Sequence, residues 1–415
     1  MQSLQRQSAQ INVDEIEKRL PMPLLSERRA QLSSLVRHTP ILHSPALSEL
    51  AGTTVLLKAE NLQRTGSFKI RGALAKLRQL ASRSVRRVAT GTAGNHGQSV
   101  AFAARAMGLK ARLYMPANAP LSKIEAVQAL GGEVVLGGES VDQCIGRARR
   151  YAEESGAAFV HPFDDYDVLS GQATLGLELL DDVPDMAQVV IPVGGGGLAG
   201  AVGMTLNRIK QRVRVIGVQA QVCAPFVLGH SSATSDTLAD GIAIKRPGQL
   251  TSPLVDRYVD EIKAVSEGHI AEAMTMMLER AKLVVEGAGA VGVAAWLSGV
   301  ISPASGPTVI VLSGGNVDLG TLSSVTRRQE TLRGRRMRLL TRVPDRPGGL
   351  ANLLRTVADA NANLISVEHL RDAVHIDVGE TGLELVLGVR NPEHSEAVIA
   401  ALRQAGYATD PPISQ

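Results

Sequence analysis

Cysteine is nearly absent: Cys144 and Cys223 are the only two in 415 residues. They form no C-x-x-C pair and share no metal spacing with histidine, which excludes a disulfide framework and a zinc cluster, so no metal site is expected. Such thiol poverty suits a reducing compartment, and a cytoplasmic protein is expected. Aromatic residues make up only 3%, leaving few rings on which bases stack, and the formal net charge of +4 is small for the length. A nucleic-acid partner is therefore not expected. No apolar run approaches the ~18 residues a membrane span needs. Val291–Ile301 comes nearest, so no membrane partner is expected, and the N-terminal stretch is too polar for a signal peptide. Lysine is scarce too, with ten among 44 basic residues and none beyond Lys282. Amine chemistry has few candidates.

What is present is ordinary globular material, 44% apolar and 20% charged. From Ile41 to about Leu319, β-rich runs alternate with helical stretches: Thr54–Glu60, Val85–Thr90, Ala111–Pro116, Glu133–Gly137, Gln188–Val193, Val213–Gln219 and Thr308–Gly315 read as strands. Several are continuously apolar, as in parallel sheets covered on both faces. Ser122 reads as the N-cap of one intervening helix. This grammar predicts an α/β fold with parallel-rich sheets. It changes near Thr321, where TRRQETLRGRRMR carries six arginines in thirteen residues and reads as a solvated connector. Beyond it the order β-α-β-β-α-β predicts a ferredoxin-like unit with no nucleophile, suited to binding or regulation.

Four segments gather Gly, Ser, Asn and Lys where strands end, the place ligands occupy in open α/β sheets. IPVGGGGLAG (Ile191–Gly200) runs a buried strand through four glycines into a helix, leaving backbone amides free to cradle a phosphate. It also fits G-x-G-x-x-G, but the next strand ends in Gln219 where a dinucleotide site needs an acid, which favours a phosphate without a ribose. RTGSFKIRGA (Arg64–Ala73) sets Lys69 between Phe68 and Ile70, where burial would lower the amine's pKa toward use as a nucleophile or base. GTAGNHGQS (Gly91–Ser99) is a strand–loop–helix joint offering amide donors; its His96 reads equally as a packing or capping residue. LSGGN (Leu312–Asn316) places Ser313 at a strand end, where a plain turn serine is the competing reading. Together the four describe one ligand: a phosphate, an amine-reactive group and a polar ring. Pyridoxal 5'-phosphate fits that description.

At these residues the chain resembles the fold-type II pyridoxal-phosphate enzymes and, within them, the threonine ammonia-lyases (threonine dehydratases) with one C-terminal ACT domain. TGSFKIRGA, AGNHGQ, GGGGL, TLADG (Thr237–Gly241), EGAGA (Glu286–Ala290) and SGGN occur in that family's order. The resemblance implies a two-domain catalytic region over residues 1–325, with a small subdomain at about 56–158 inserted in the large one, a linker at 326–335 and an ACT-type domain at 336–412. It implies that Lys69 carries the cofactor as a Schiff base while Phe68 packs on the ring and Asn95 bonds the ring hydroxyl. Gly194, Gly195, Gly196, Gly197 and Leu198 would hold the phosphate, Ser313 would face the pyridine nitrogen, and Gly241 and Glu286 would line the ring's surroundings. The loop Thr92, Ala93, Gly94, Asn95, His96, with Ser67, would hold the substrate carboxylate.

The implied activity is dehydration and deamination of L-threonine to 2-oxobutanoate and ammonia. Serine racemases of this fold carry a serine where this chain has Ala93, so the second proton carrier for racemisation is missing. Alternatives are an L-serine or 3-hydroxyaspartate dehydratase and, outside enzymes, an amino-acid sensor. The ACT-type unit implies isoleucine or valine as effector and a homodimer or homotetramer.

Overall fold

The computed structural model describes residues 11–210, 213–234, 236–370 and 379–410. The polar N-terminal decapeptide and the end of the expected 336–412 unit (411–412) lie outside the described residues. The chain divides into two compact units, Met1–Asp318 and Leu319–Gln415.

Among the described residues the first unit holds ten strands: β1 (Ile41–His43), β2 (Val55–Lys58), β3 (Arg87–Gly91), β4 (Lys110–Met115), β5 (Glu133–Leu136), β6 (Ala158–Phe159), β7 (Gln188–Pro192), β8 (Arg214–Ala220), β9 (Glu261–Val265) and β10 (Thr308–Val311). They form a six-stranded sheet ordered β1-β2-β10-β7-β8-β9 and a four-stranded sheet ordered β5-β4-β3-β6. All pairings are parallel except β1 with β2. Strand β2 sits beside β10 in the larger sheet, so the smaller lobe starts after Lys58 rather than inside that strand as expected, and β6 closes it.

The helix Lys69–Ser82 packs into the core of the smaller lobe. Its Ile70, Leu74 and Leu77 follow helical spacing, are fully buried and pack with Val88, Val100 and Leu113. Each contributes about 1.5–3 kcal/mol by burial. That stripe fixes the helix's rotation, and hence where Lys69 points. Ser122 does not cap the helix Leu121–Ala129; Pro120 holds the cap position, because the proline ring presets the entry and Ser122 falls within the first turn.

The second unit opens with a helix, Leu319–Leu332, followed by β11 (Arg336–Pro344), β12 (Asn363–Leu370), β13 (Glu380–Gly388) and β14 (Thr409–Asp410), with helices Gly349–Asp359 and Pro392–Gln404. The antiparallel order β12-β13-β11-β14 is the split β-α-β-β-α-β arrangement. The stretch expected to be a linker is helical as far as Leu332. Val325 and Gln329 are buried at i, i+4 spacing, so its arginines decorate an amphipathic helix that charge alone disguised as connector.

Candidate active site

The chain before Lys69 is fastened to the end of β10: Phe68 N donates to Ser313 O at 3.0 Å, and Ser67 bridges Gly314. Lys69 is the first helical residue, with Nζ donating to Pro162 O at 3.1 Å and lying 5.2 Å from the Phe68 ring centre. Burial withdraws water from the ammonium and lowers its pKa from 10.5 to about 8, with the Glu286 charge opposing. A substantial neutral fraction is therefore present at mildly alkaline pH.

Beyond β7 the chain enters Gly194–Gly197 and then the helix Gly197–Ile209, with Gly196 as N-cap at φ +90°. Among the described residues the amides of Gly194 to Leu198 find no backbone acceptor, leaving a row of donors at the positive end of a thirteen-residue helix. Side chains would not fit: a Cβ on Gly195 would lie 2.5 Å from the Phe163 ring, and one on Gly197 2.9 Å from Phe163 Cβ. Gln219 is turned inward, donating to Val193 O and accepting from Phe226 N, so it offers nothing to a ribose.

Asn95 begins the helix Asn95–Ala106 that follows β3. Its Nδ2 donates to Glu286 Oε1 at 2.6 Å, and its Oδ1 accepts from Asn316 Nδ2 at 2.7 Å. Asn316 Nδ2 also donates to Thr65 O at 2.8 Å. Burial, reinforced by Asp240, raises the Glu286 carboxyl from 4.5 to about 7, against Lys123 and the Asn95 bond. Gly241 has no room for a side chain, since its Cβ would lie 2.9 Å from that of Ala288. The Ser313 hydroxyl reaches Ala288 O at 3.5 Å, a bond too long to hold it from a ligand.

The loop after β3 is shaped by Thr92, whose Oγ1 accepts from the Gly94 and Gly97 amides at 3.1 Å each. Those two accepted bonds shape the loop, while the hydroxyl's own proton, 3.5 Å from Gly94 O, stays available with the loop backbone and Asn95 to meet a ligand. His96 is buried, with Nε2 3.0 Å from Thr90 Oγ1. Burial, Lys69 and His161 push its pKa to about 3, so it stays neutral. Ser67 is fully buried and does not line the cleft, although its hydroxyl has no partner among the described residues.

Phe68, Lys69, Thr92 to His96, Gly194 to Leu198, Gly241, Glu286 and Ser313 all line one cleft between the two sheets, with about 1040 Å³ of empty, partly open space. Sequence reasoning missed Lys123, Asp240 and Phe163 in its wall and Asn316 behind it. TLADG and SGGN contain two of these residues, but nothing local marks their partners. The unspent amides, the screened amine and the weakly held hydroxyl match a phosphate, an aldehyde and a ring nitrogen in turn, so these residues fit pyridoxal 5'-phosphate.

The family described as pyridoxal-phosphate dependent enzymes matches residues 32–314, and the ACT domain matches residues 337–406. The chain belongs to the pyridoxal-phosphate dependent enzymes, with an ACT domain following the catalytic unit. It is 43% identical over 390 residues to the L-threonine ammonia-lyase of Thermotoga maritima, covering 92% of this chain and 97% of that one. Among solved structures it resembles the processed form of threonine deaminase isoform 2 from Solanum lycopersicum, with TM-score 0.70 and 31% identity over 76% of this chain and 88% of that one. It also resembles a pyridoxal 5'-phosphate-dependent aspartate racemase, with TM-score 0.69 and 31% identity over 73% and 98%. Among the described residues no helix is long and apolar enough to cross a membrane, and no three His, Cys, Asp or Glu side chains gather as a metal site.

Proposed function

We propose that this chain is an L-threonine ammonia-lyase, converting L-threonine to 2-oxobutanoate and ammonia. One observation carries the reading: the screened amine of Lys69, the Asn95 amide, the open amides of Gly194–Leu198 and the Ser313 hydroxyl meet in a single cleft. When bound, the cofactor supplies an aldehyde that captures the substrate amine and a conjugated ring that takes up electrons released at Cα.

The residues divide the remaining work. The amides of Gly194–Leu198 bind the phosphate. Lys69, neutral in part at its lowered pKa, takes and holds the Cα proton. Asn95, fixed by Glu286 and Asn316, would hold the cofactor ring. Ser313 would offer the ring nitrogen a neutral hydroxyl; an aspartate there would keep that nitrogen protonated and favour transamination, whereas a serine would favour loss of the β-hydroxyl. The backbone of Thr92–His96 receives the carboxylate. Racemisation is disfavoured because Ala93 supplies no second proton carrier. The proposal extends to a cytoplasmic homo-oligomer whose ACT domain binds isoleucine or valine.

The test is keto-acid release by the purified, cofactor-loaded protein from L-threonine, L-serine and D-serine. L-threonine should give 2-oxobutanoate fastest, with L-serine slower by roughly 10- to 200-fold for one missing methyl group. Inert threonine beside a reactive second hydroxy amino acid would overturn the substrate but keep the chemistry.

A further inference from the structure

The charged side chains lining the cleft are Lys69, Lys123, Asp240 and Glu286. Lys69 is committed to proton transfer, and His96 is neutral. Among the described residues, Lys123 is thus the one cation in the wall without an assigned task.

It projects from the helix Leu121–Ala129 of the smaller lobe and runs beside the loop after β3. A Cβ on Gly94 would lie 3.5 Å from both its Cδ and its Nζ. Its ammonium pairs with Asp240, which opens the short turn Asp240–Ile242 of the larger lobe. The ion pair therefore crosses the cleft mouth from one lobe to the other. The two partners differ in access to water: the Lys123 side chain is 11% exposed and that of Asp240 is 49% exposed.

We propose that Lys123 is the counter-ion of the substrate's α-carboxylate, and that Asp240 holds its place until substrate arrives. A carboxylate entering the Thr92–His96 loop comes within reach of this ammonium. Asp240, half in solvent, trades its partner for water at little cost, whereas the screened Lys123 keeps an anion throughout. Asp240 is then a built-in competitor for the substrate. This deepens the proposed function, resting on its assignment of the carboxylate loop, and it selects α-amino acids with a free carboxylate.

The experiment uses the cofactor-loaded protein with two readouts: KM and kcat for L-threonine, and the Kd of L-alanine followed by cofactor absorbance. L-alanine has no leaving group, so its binding is read whether or not threonine turns over. Failure of the threonine reading is thereby distinguished from failure of this one. Removing a charge-assisted bond in Lys123→Met should raise both KM and the L-alanine Kd roughly tenfold or more, with the loss falling on KM rather than kcat. Asp240→Asn should lower both constants, and should lose that effect when combined with Lys123→Met.

The exchanged pair, Lys123→Asp with Asp240→Lys, separates an anchor from a latch. It rebuilds the ion pair across the mouth but moves the cation to the other lobe, so weak binding should persist. Restoration of wild-type KM and Kd by that exchange would overturn the proposal, as would equal weakening in Lys123→Met and Asp240→Asn.

Discussion

Replacing Arg71 with leucine should destabilise the catalytic unit by about 3–5 kcal/mol, the cost of leaving buried charges without their partner. Arg71 is fully buried two residues beyond Lys69. Its Nε and Nη2 donate to Glu60 at 2.8 Å each, and its Nη1 and Nη2 donate to Glu178 at 2.7 and 2.8 Å. Lys58 completes the network on Glu178 at 3.1 Å and Asp182 at 2.8 Å. Leucine removes four bonds to carboxylates and one to Thr174 Oγ1 at 3.3 Å, and strands two carboxylates, with Thr39 left on Glu60 and Lys58 on Glu178. Trp296 is the sole tryptophan and is buried in the first unit, so its fluorescence reports that unit alone. At a urea slope of roughly 3 kcal/mol/M the midpoint should fall by about 1–1.7 M. Adding Glu60→Gln and Glu178→Gln to Arg71→Leu should recover part of the loss by removing the stranded charges. The pH dependence follows the same network. Burial would raise the Glu178 pKa, but Arg71 and Lys58 outweigh it and hold the carboxyl low. Its stabilisation is thus present above the ordinary carboxylate pKa and lost as pH falls through the depressed folded value, and Arg71→Leu should flatten that acid limb. A loss below about 1 kcal/mol, within the range of an exposed pair, would refute the reasoning.

The cofactor cradle and the amine are open to equally direct tests. Gly195→Ala puts a methyl group 2.5 Å from the Phe163 ring; overpacking of this kind should weaken cofactor binding roughly 5- to 100-fold by equilibrium dialysis, and unchanged affinity would show that the loop gives way. In the cofactor-free protein, labelling of Lys69 by an amine-reactive reagent, followed by peptide mass spectrometry, should rise with pH to a midpoint near 8. A midpoint at the ordinary lysine value of about 10.4 would mean that burial does not reach the amine. Lys69→Ala should lose the cofactor absorbance that borohydride removes from the wild type; its persistence would place the Schiff base elsewhere. Ala93→Ser restores the hydroxyl that racemases of this fold carry, and should generate D-serine from L-serine on chiral chromatography if that hydroxyl is what the chain lacks.

Parallel strands buried on both faces must be apolar throughout, so β7, β8 and β10 are legible as runs of Val and Ile. The glycine loop is legible for a related reason: four consecutive glycines cost backbone entropy that only a close approach to the backbone repays. The half-buried edge strand β9, with sequence EIKAV, offers neither signal and escapes a reading by pattern. The site divides along the same line. Asn95, the glycines and Ser313 sit just past strand ends, a position that sequence order reveals, whereas Lys69 opens its helix eleven residues beyond β2. Lys123 and Asp240 meet across 117 residues, and Asn95 and Asn316 across 221, because two lobes close on each other. No local pattern encodes a distance of that kind. Of the residues proposed above for the site, the glycines and Ser313 are thus placed by single strand ends, whereas Asn95, Lys123 and Asp240 are held by contacts between the lobes. If Lys123 holds the substrate carboxylate as proposed, substrate affinity would respond to changes in that inter-lobe pair while the strand-end motifs stay intact.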